Sequence, residues 1–430
     1  MPKHPYRIET LALHVGQEDA DPATSARAVP VYRTTAYKFR NSKHGADLFA
    51  LRELGNIYAR LMNPTNDVLE KRLAALDGGA AGLALSSGTS GVYFSITNIL
   101  RSGDELVSAV NLYGGTYTMF DAILPQQDIK VHFTPVNDFA AVDKAVNART
   151  RAVFIETIGN PLLDVADVEG YAAIAKKHHL PLIVDATFTP PTLLRPIEYG
   201  ADIVIHSLSK WIGGHGTGIG GIVIDAGKFD WTDPKFTLYN EPDRGYHGLR
   251  FAHDLGELNP VAFALRLRTV GLRNQGPTLA PDAAWQFLQG VETLPLRMAR
   301  HSENALQVAQ YLQKHPKVTW VRYPGLAEDP SYAATQKYLP NGAGGMVVFG
   351  VKGGEASAIK LVDNIELFSL LANVGDAKSL IIHSSTTTHS QLSEEAQAAG
   401  GLHSDLIRLS IGLEHIDDII GALSDALNII

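Results

Sequence analysis

"ADIVIHSLSKWIGGHG", residues 201 to 216, sets a lysine between an apolar run and a glycine-rich turn. Ile203, Val204 and Ile205 are β-branched, so the run reads as a short strand buried on both faces, with Lys210 emerging near its end. Similar segments recur along the chain, "DELVSAV", "IKVHF", "RAVFIET", "LPLIVDATF" and "GGIVID", separated by helix-like stretches. That alternation predicts an α/β fold with a mainly parallel sheet between layers of helix. In open sheets of this kind, ligands sit outside the carboxyl ends of the strands. The distinctive polar residues follow the strands in that way. "VSAV" runs into Asn111, Tyr113, Gly114 and Gly115, and "VFIE" into Glu156 and Asn160. "LIVD" ends in Asp185 and Thr187, and "IVIH" leads to Ser207, Ser209 and Lys210. Each alone reads equally well as a cap or turn residue; four strands converging on one edge point to a site.

The rest of the chain bounds the possibilities. Its 430 residues suffice for two or three domains, and 45% hydrophobic against 19% charged residues is an ordinary globular balance. Lys and Arg number 37 against 45 Asp and Glu, a net charge of -8 without runs of one sign, which argues against a nucleic-acid surface or a basic membrane helix. With no cysteine, disulfides, thiolate zinc sites and cysteine nucleophiles are excluded. The start "MPKHPYRIETLALHVGQ" has no apolar signal-peptide core, and no apolar segment approaches the ~20 residues of a membrane span, so a cytoplasmic protein is expected.

Residues 1–60 look irregular and are expected to form an arm lying on another surface. In "NPTNDVLEKRLAALDGG", Val68, Leu69, Leu73 and Leu76 share a helical face and Gly78 and Gly79 end it. An α/β domain is expected over 61–275. A smaller α+β domain is expected over 276–430, from long amphipathic helices between 280 and 316, strand-like "KVTWVRYPG", "GGMVVFGV" and "DLIRLSIGLE", and a final helix in "HIDDIIGALSDALNII".

"LSSGTSG", residues 85 to 91, puts Ser87, Gly88 and Thr89 at a helix start, where bare backbone N–H groups and the helix dipole favour an anion. "GTGIGG" matches a dinucleotide fingerprint in letters only, since it precedes a strand instead of following one. None of the sixteen histidines, His206, His215, His383 and His389 among them, shows a metal-ligand spacing, so no metal is expected. Asp185 closes the most apolar strand, and a buried carboxylate needs a cationic partner. One arrangement uses all of these groups: pyridoxal 5'-phosphate, joined to Lys210 as a Schiff base, its ring nitrogen on Asp185 and its phosphate at the helix start beside Ser207 and Ser209. Tyr113 is placed to stack on the ring.

These residues resemble the Cys/Met-metabolism family of fold-type I pyridoxal-phosphate enzymes. "YARLMNPT", "SSGTSG", "NLYGGTY", "ETIGNP", "VDATF", "HSLSKWIGGHG" and "RLSIGLE" stand in the family's order over nearly the whole chain. The resemblance implies the fold-type I architecture, a mainly parallel seven-stranded-type sheet between helices with a smaller C-terminal α+β domain. It makes Lys210 the cofactor-bearing proton shuttle, and puts Asp185 on the ring nitrogen, Tyr113 on the ring face and Asn160 on the ring hydroxyl. Ser87, Gly88, Thr89, Thr187, Ser207 and Ser209 complete the cofactor site. Tyr58 and Arg60 would reach the phosphate of a neighbouring subunit, with Tyr58 also near the chemistry, in a homo-oligomer whose active sites lie at a dimer interface and whose expected form is a dimer of dimers. Arg408 would clamp the substrate's α-carboxylate, with Asn373 and Ser379 beside the substrate.

Within the family the chain is most similar to O-acetylhomoserine sulfhydrylases, from "DAGKFDWTDPKFTLYNEPDRGYHGLRF" and "ANVGDAKSLIIHSSTTTHSQL". That resemblance implies γ-replacement of acetate by sulfide or methanethiol, giving homocysteine or methionine. The alternatives are elimination by a γ- or β-lyase acting on cystathionine or methionine, and a succinyl donor as in cystathionine γ-synthase. Gly115 stands where methionine γ-lyases carry a cysteine, Ala186 where many members have asparagine, and "HSSTTTH" replaces His-Pro-Ala-Ser-Thr-Thr-His.

Overall fold

The computed structural model describes residues 6–387 and 403–430. Seven strands, β1 (Ala81–Leu85), β2 (Glu105–Ala109), β3 (Lys130–Thr134), β4 (Thr150–Glu156), β5 (Leu182–Asp185), β6 (Ile203–Ser207) and β7 (Gly221–Asp225), form one sheet in the order β1-β7-β6-β5-β4-β2-β3. Only β7 runs against its neighbours, β1 and β6. The remaining pairings are parallel. Alternate side chains feed two cores. Val107, Val153, Val184, Val204 and Ile224 enter one, and Leu106, Phe154, Ile183, Ile203 and Val223 the other. That two-sided burial is why these strands read as continuous apolar runs. Truncating one such side chain, Phe154 for example, costs about 3–5 kcal/mol.

β1 carries no sequence signal of this strength: "AGLAL" lacks β-branched residues, and its pairing with β7 along five residues decides its state. The preceding helix, Pro64–Asp77, follows the expected pattern. The Asn63 side chain accepts from the Thr65 N–H, Pro64 takes the first turn, and Gly78 ends the helix at φ +74°, where a Cβ would be strained.

A second sheet, β8 (Val318–Arg322), β9 (Met346–Val351), β10 (Ser369–Leu370), β11 (Leu380–His383) and β12 (Leu406–Ser410), has the order β10-β11-β12-β9-β8 and is antiparallel except between β10 and β11. Helices Pro281–Glu292 and Leu294–Lys314 precede it, and Ile416–Ile429 closes the chain against the second of them. β11 sits inside a stretch that composition marks only as serine- and threonine-bearing.

The N-terminal region is less irregular than expected, with helices at Ile8–His14 and Ser42–Phe49. Arg72, fully buried on the helix Pro64–Asp77, ties it down by donating to the Val15 carbonyl and the Gln17 side chain. Among the described residues, no helix is long and apolar enough to cross a membrane.

Candidate active site

A cavity of about 650 Å³ opens at the carboxyl ends of β2, β4, β5 and β6. Ser87, Gly88, Thr89, Tyr113, Asn160, Asp185, Thr187, Ser207, Ser209, Lys210, Asn373 and Arg408 all border it. The lysine stands in a single wide turn after β6, Leu208–Ile212, whose backbone leaves helical geometry at Lys210 itself (φ −98°, ψ −133°). Its Nζ donates to Asn373 Oδ1 at 2.6 Å, so a loop between β10 and β11 meets the large sheet here. Burial first, and then the nearby Arg408 guanidinium, hold the Lys210 amine below its ordinary value.

Asp185 is fixed by Thr187, whose backbone N–H donates to Oδ1 at 2.9 Å, while the Thr187 hydroxyl accepts from the Ser207 N–H at 2.9 Å. One threonine thus locks two strand ends together. Burial pushes the Asp185 carboxyl up, against the pull of Thr187 and of His206. Among the described residues it has no ion-pair partner within 4.0 Å, and a cation placed opposite would restore its charge. Behind it, the fully buried His206 donates from Nδ1 to the Ala186 carbonyl at 3.1 Å, and its Nε2 lies 2.8 Å from Asp77 Oδ2. Burial lowers the His206 pKa, but Asp77 and Asp185 outweigh it and the net direction is up. His206 is therefore a hydrogen-bonded core histidine, while His389 lies outside the described residues. Among the described residues no cluster of metal-ligating side chains occurs.

Arg408 occupies the middle of the second sheet, paired across β12 with Ile382 and Val348. It is 7% exposed, and burial lowers its guanidinium to about 10. No carboxylate pairs with it among the described residues. A buried, unpaired guanidinium at a cavity wall is a receptor for an anion.

Backbone contacts bring the helix start to the same place. Ser87 caps the helix Gly88–Thr97 by accepting from the Ser90 N–H at 3.0 Å. A Cβ on Gly88 would lie 2.6 Å from the Ser207 Cβ, and one on Gly221 would lie 2.1 Å from the Ser87 carbonyl oxygen. Glycine at both positions lets β6, β7 and the helix start approach closely enough to serve one anion.

Ser379 corrects the expectation of a substrate contact. It is fully buried ahead of β11, donating to Glu414 Oε2 at 2.9 Å and accepting from the Gly412 N–H at 2.9 Å, and it does not border the cavity. Its hydroxyl is consumed by the loop that follows β12. Tyr58 and Arg60 also lie outside the cavity of their own chain. Tyr58 is 40% exposed, the Arg60 guanidinium lies 5.3 Å from its ring centroid, and Arg60 donates to the Arg273 carbonyl. The wall also contains residues that the sequence did not single out, among them Phe188, Gly216, Gly218, Ile219, Ala372 and Val374. Apolar loop residues of this kind carry no spacing signal.

A family description, Cys/Met metabolism PLP-dependent enzyme, matches residues 9–428. The chain belongs to this family. It is 52% identical to the O-acetyl-L-homoserine sulfhydrylase of Leptospira meyeri over 99% of this chain and 98% of that protein. The homocysteine synthase of Schizosaccharomyces pombe is 49% identical over the full length of both. A crystal structure from Campylobacter jejuni at 2.35 Å, named as a candidate O-acetylhomoserine (thiol)-lyase and carrying a pyridoxyl-lysine monophosphate, superposes with a TM-score of 0.94 at 40% identity, covering 98% of this chain and all of that one. The fold is therefore that of the fold-type I pyridoxal-phosphate enzymes.

The residues of this member fit the family cofactor. Among the described residues, Asp185 has no cation within 4.0 Å and Asn160 Oδ1 is buried without a hydrogen-bond partner, and the Gly88 helix start lies beside two serine hydroxyls.

Proposed function

We propose that the chain catalyses γ-replacement on O-acetylhomoserine, using sulfide or methanethiol to form homocysteine or methionine and releasing acetate. The observation that carries this reading is the convergence of Lys210, Asp185 and an unpaired, buried Arg408 on one cavity in a chain about half identical to a named sulfhydrylase. Asp185 would hold the ring nitrogen of the cofactor, Tyr113 its face and Asn160 its ring hydroxyl. Gly88 and Thr89 backbone, with the Ser207 and Ser209 hydroxyls, would hold its phosphate. When bound there, pyridoxal phosphate supplies an electron sink next to the substrate's amine-bearing carbon.

The protein's own groups do the rest. Arg408 receives the α-carboxylate through its planar fork, which fixes the orientation of the α-carbon relative to Lys210. Burial and the nearby Arg408 lower the basicity of Lys210, which favours its neutral form, so that Nζ serves as the base, taking the α-proton and relaying one at the β-carbon as acetate leaves the γ-carbon. Asn373 Oδ1 receives the Lys210 N–H and so sets where that amine rests between transfers. Tyr58 and Arg60 serve a neighbouring subunit's phosphate, which accounts for their position outside their own cavity and makes the working unit a homo-oligomer.

The test offers acetyl-, succinyl- and phosphohomoserine with sulfide and measures homocysteine against 2-oxobutyrate. Homocysteine from the acetyl ester in excess is expected. Predominant 2-oxobutyrate would identify a lyase, and preference for the succinyl ester would overturn the donor assignment.

A further inference from the structure

One polar group in the cavity wall has no part in the chemistry above. Glu156 ends β4 directly beside Asp185, the two being register partners in the parallel β4–β5 pair with side chains on the same face. Two carboxyl groups are thus held next to each other in the wall of one cavity. Glu156 is 8% exposed, and no cation pairs with it within 4.0 Å among the described residues. The Lys210 amine, on the same cavity, donates to Asn373. Among the described residues, the Glu156 side chain makes one hydrogen bond, Oε1 accepting from the backbone N–H of Tyr113 at 2.7 Å. That contact crosses from β4 to the loop after β2 and fixes the peptide that carries the aromatic ring.

We propose, resting on the cofactor reading above, that Glu156 is a positioning residue that works as a neutral carboxyl, holding the Tyr113 ring over the cofactor while leaving Asp185 the anion at this strand edge. Two adjacent buried carboxylates cannot both ionise cheaply, and only Asp185 gains a cation when the ring nitrogen is opposite it. Burial first, and the Asp185 charge second, push the Glu156 carboxyl well above its ordinary value, against the weaker pull of the Tyr113 N–H. A neutral carboxyl keeps one oxygen as acceptor for Tyr113 and turns a hydroxyl donor toward the cavity.

The experiment titrates apoprotein of wild type, Glu156→Gln, Glu156→Asp and Glu156→Ala with pyridoxal phosphate, reading affinity and the circular dichroism of the bound chromophore. Glutamine keeps both the acceptor and a donor, so its affinity is expected within about threefold of wild type with the same dichroism. Aspartate, one methylene short, and alanine are expected to bind about tenfold more weakly, with altered dichroism. A glutamine variant that ranks with or below the aspartate variant overturns the proposal, because charge would then matter more than shape. A second measurement compares the holoenzymes at about pH 8: a carboxylic-acid infrared band present in wild type should be missing from Glu156→Gln, and a band that the variant retains, or that wild type lacks, overturns the neutral form. Failure of wild type itself to take up pyridoxal phosphate would instead sink the function proposed above.

Discussion

Arg408 shows what a single residue contributes. Its side chain is buried in the middle of a sheet with no counterion among the described residues, a costly state that an anion in the cavity would relieve. The guanidinium offers two parallel donors that a lysine ammonium cannot reproduce. Arg408→Lys should therefore raise KM for the amino-acid substrate by about 10–100-fold, with a smaller fall in kcat, as measured by steady-state kinetics at saturating sulfide. An unchanged KM would remove the carboxylate role. Lys210 and Asp185 were legible as a pair because each is anomalous where the sequence puts it, a charge at the end of an apolar strand. Ser379 was not, because nothing local records that Glu414, thirty-five residues on, takes its hydroxyl.

Elements explain why the strand ends matter and why some were hard to see. β4, β5 and β6 announce themselves through β-branched and aromatic residues, whereas β1 is a strand only because β7 lies beside it. The far end of the sheet carries a separate electrostatic feature. Asp202 precedes β6 and accepts from the Leu182 N–H, and Asp225 ends β7; burial leads the causes that raise each to about 6. A carboxyl raised above its unfolded value stabilises fully below that value, and the contribution is lost as pH rises through the folded pKa. Asp202→Asn keeps an acceptor for Leu182 and cannot ionise. The variant should thus gain stability relative to wild type as pH rises from about 4 to about 8, by about 1–2 kcal/mol, read as the difference in thermal midpoints at each pH. A difference that is flat across that range would contradict the assignment. Turnover should stay unchanged, since this edge is opposite the cavity.

At the scale of the whole molecule, each of the two sheets brings something to the cavity that the other lacks. The second sheet supplies Arg408 and the loop before β11 supplies Asn373, so substrate and lysine contacts depend on how the sheets sit together. In the function proposed above, Tyr58 and Arg60 serve another subunit. If the site is shared in that way, Arg60→Ala and Lys210→Ala proteins, each inactive or weakened, should regain activity when unfolded and reassembled together. A hybrid dimer holds one site with both residues intact, so about a quarter of wild-type activity is expected from random pairing. No recovery above the sum of the two would place Arg60 in its own chain's site.

The sequence by itself determined the strands with strong side-chain preference, the helix caps, and the edge of the sheet at which the chemistry lies. Those features follow from local rules: period, β-branching, and polar residues placed after apolar runs. Only the tertiary structure decided that β1 and β11 are strands, that Ser379 is a loop brace, that Asp77 backs His206, and that Glu156 stands against Asp185. Each of these depends on a partner distant in sequence, and a contact between distant segments leaves no trace in the periodicity of either one.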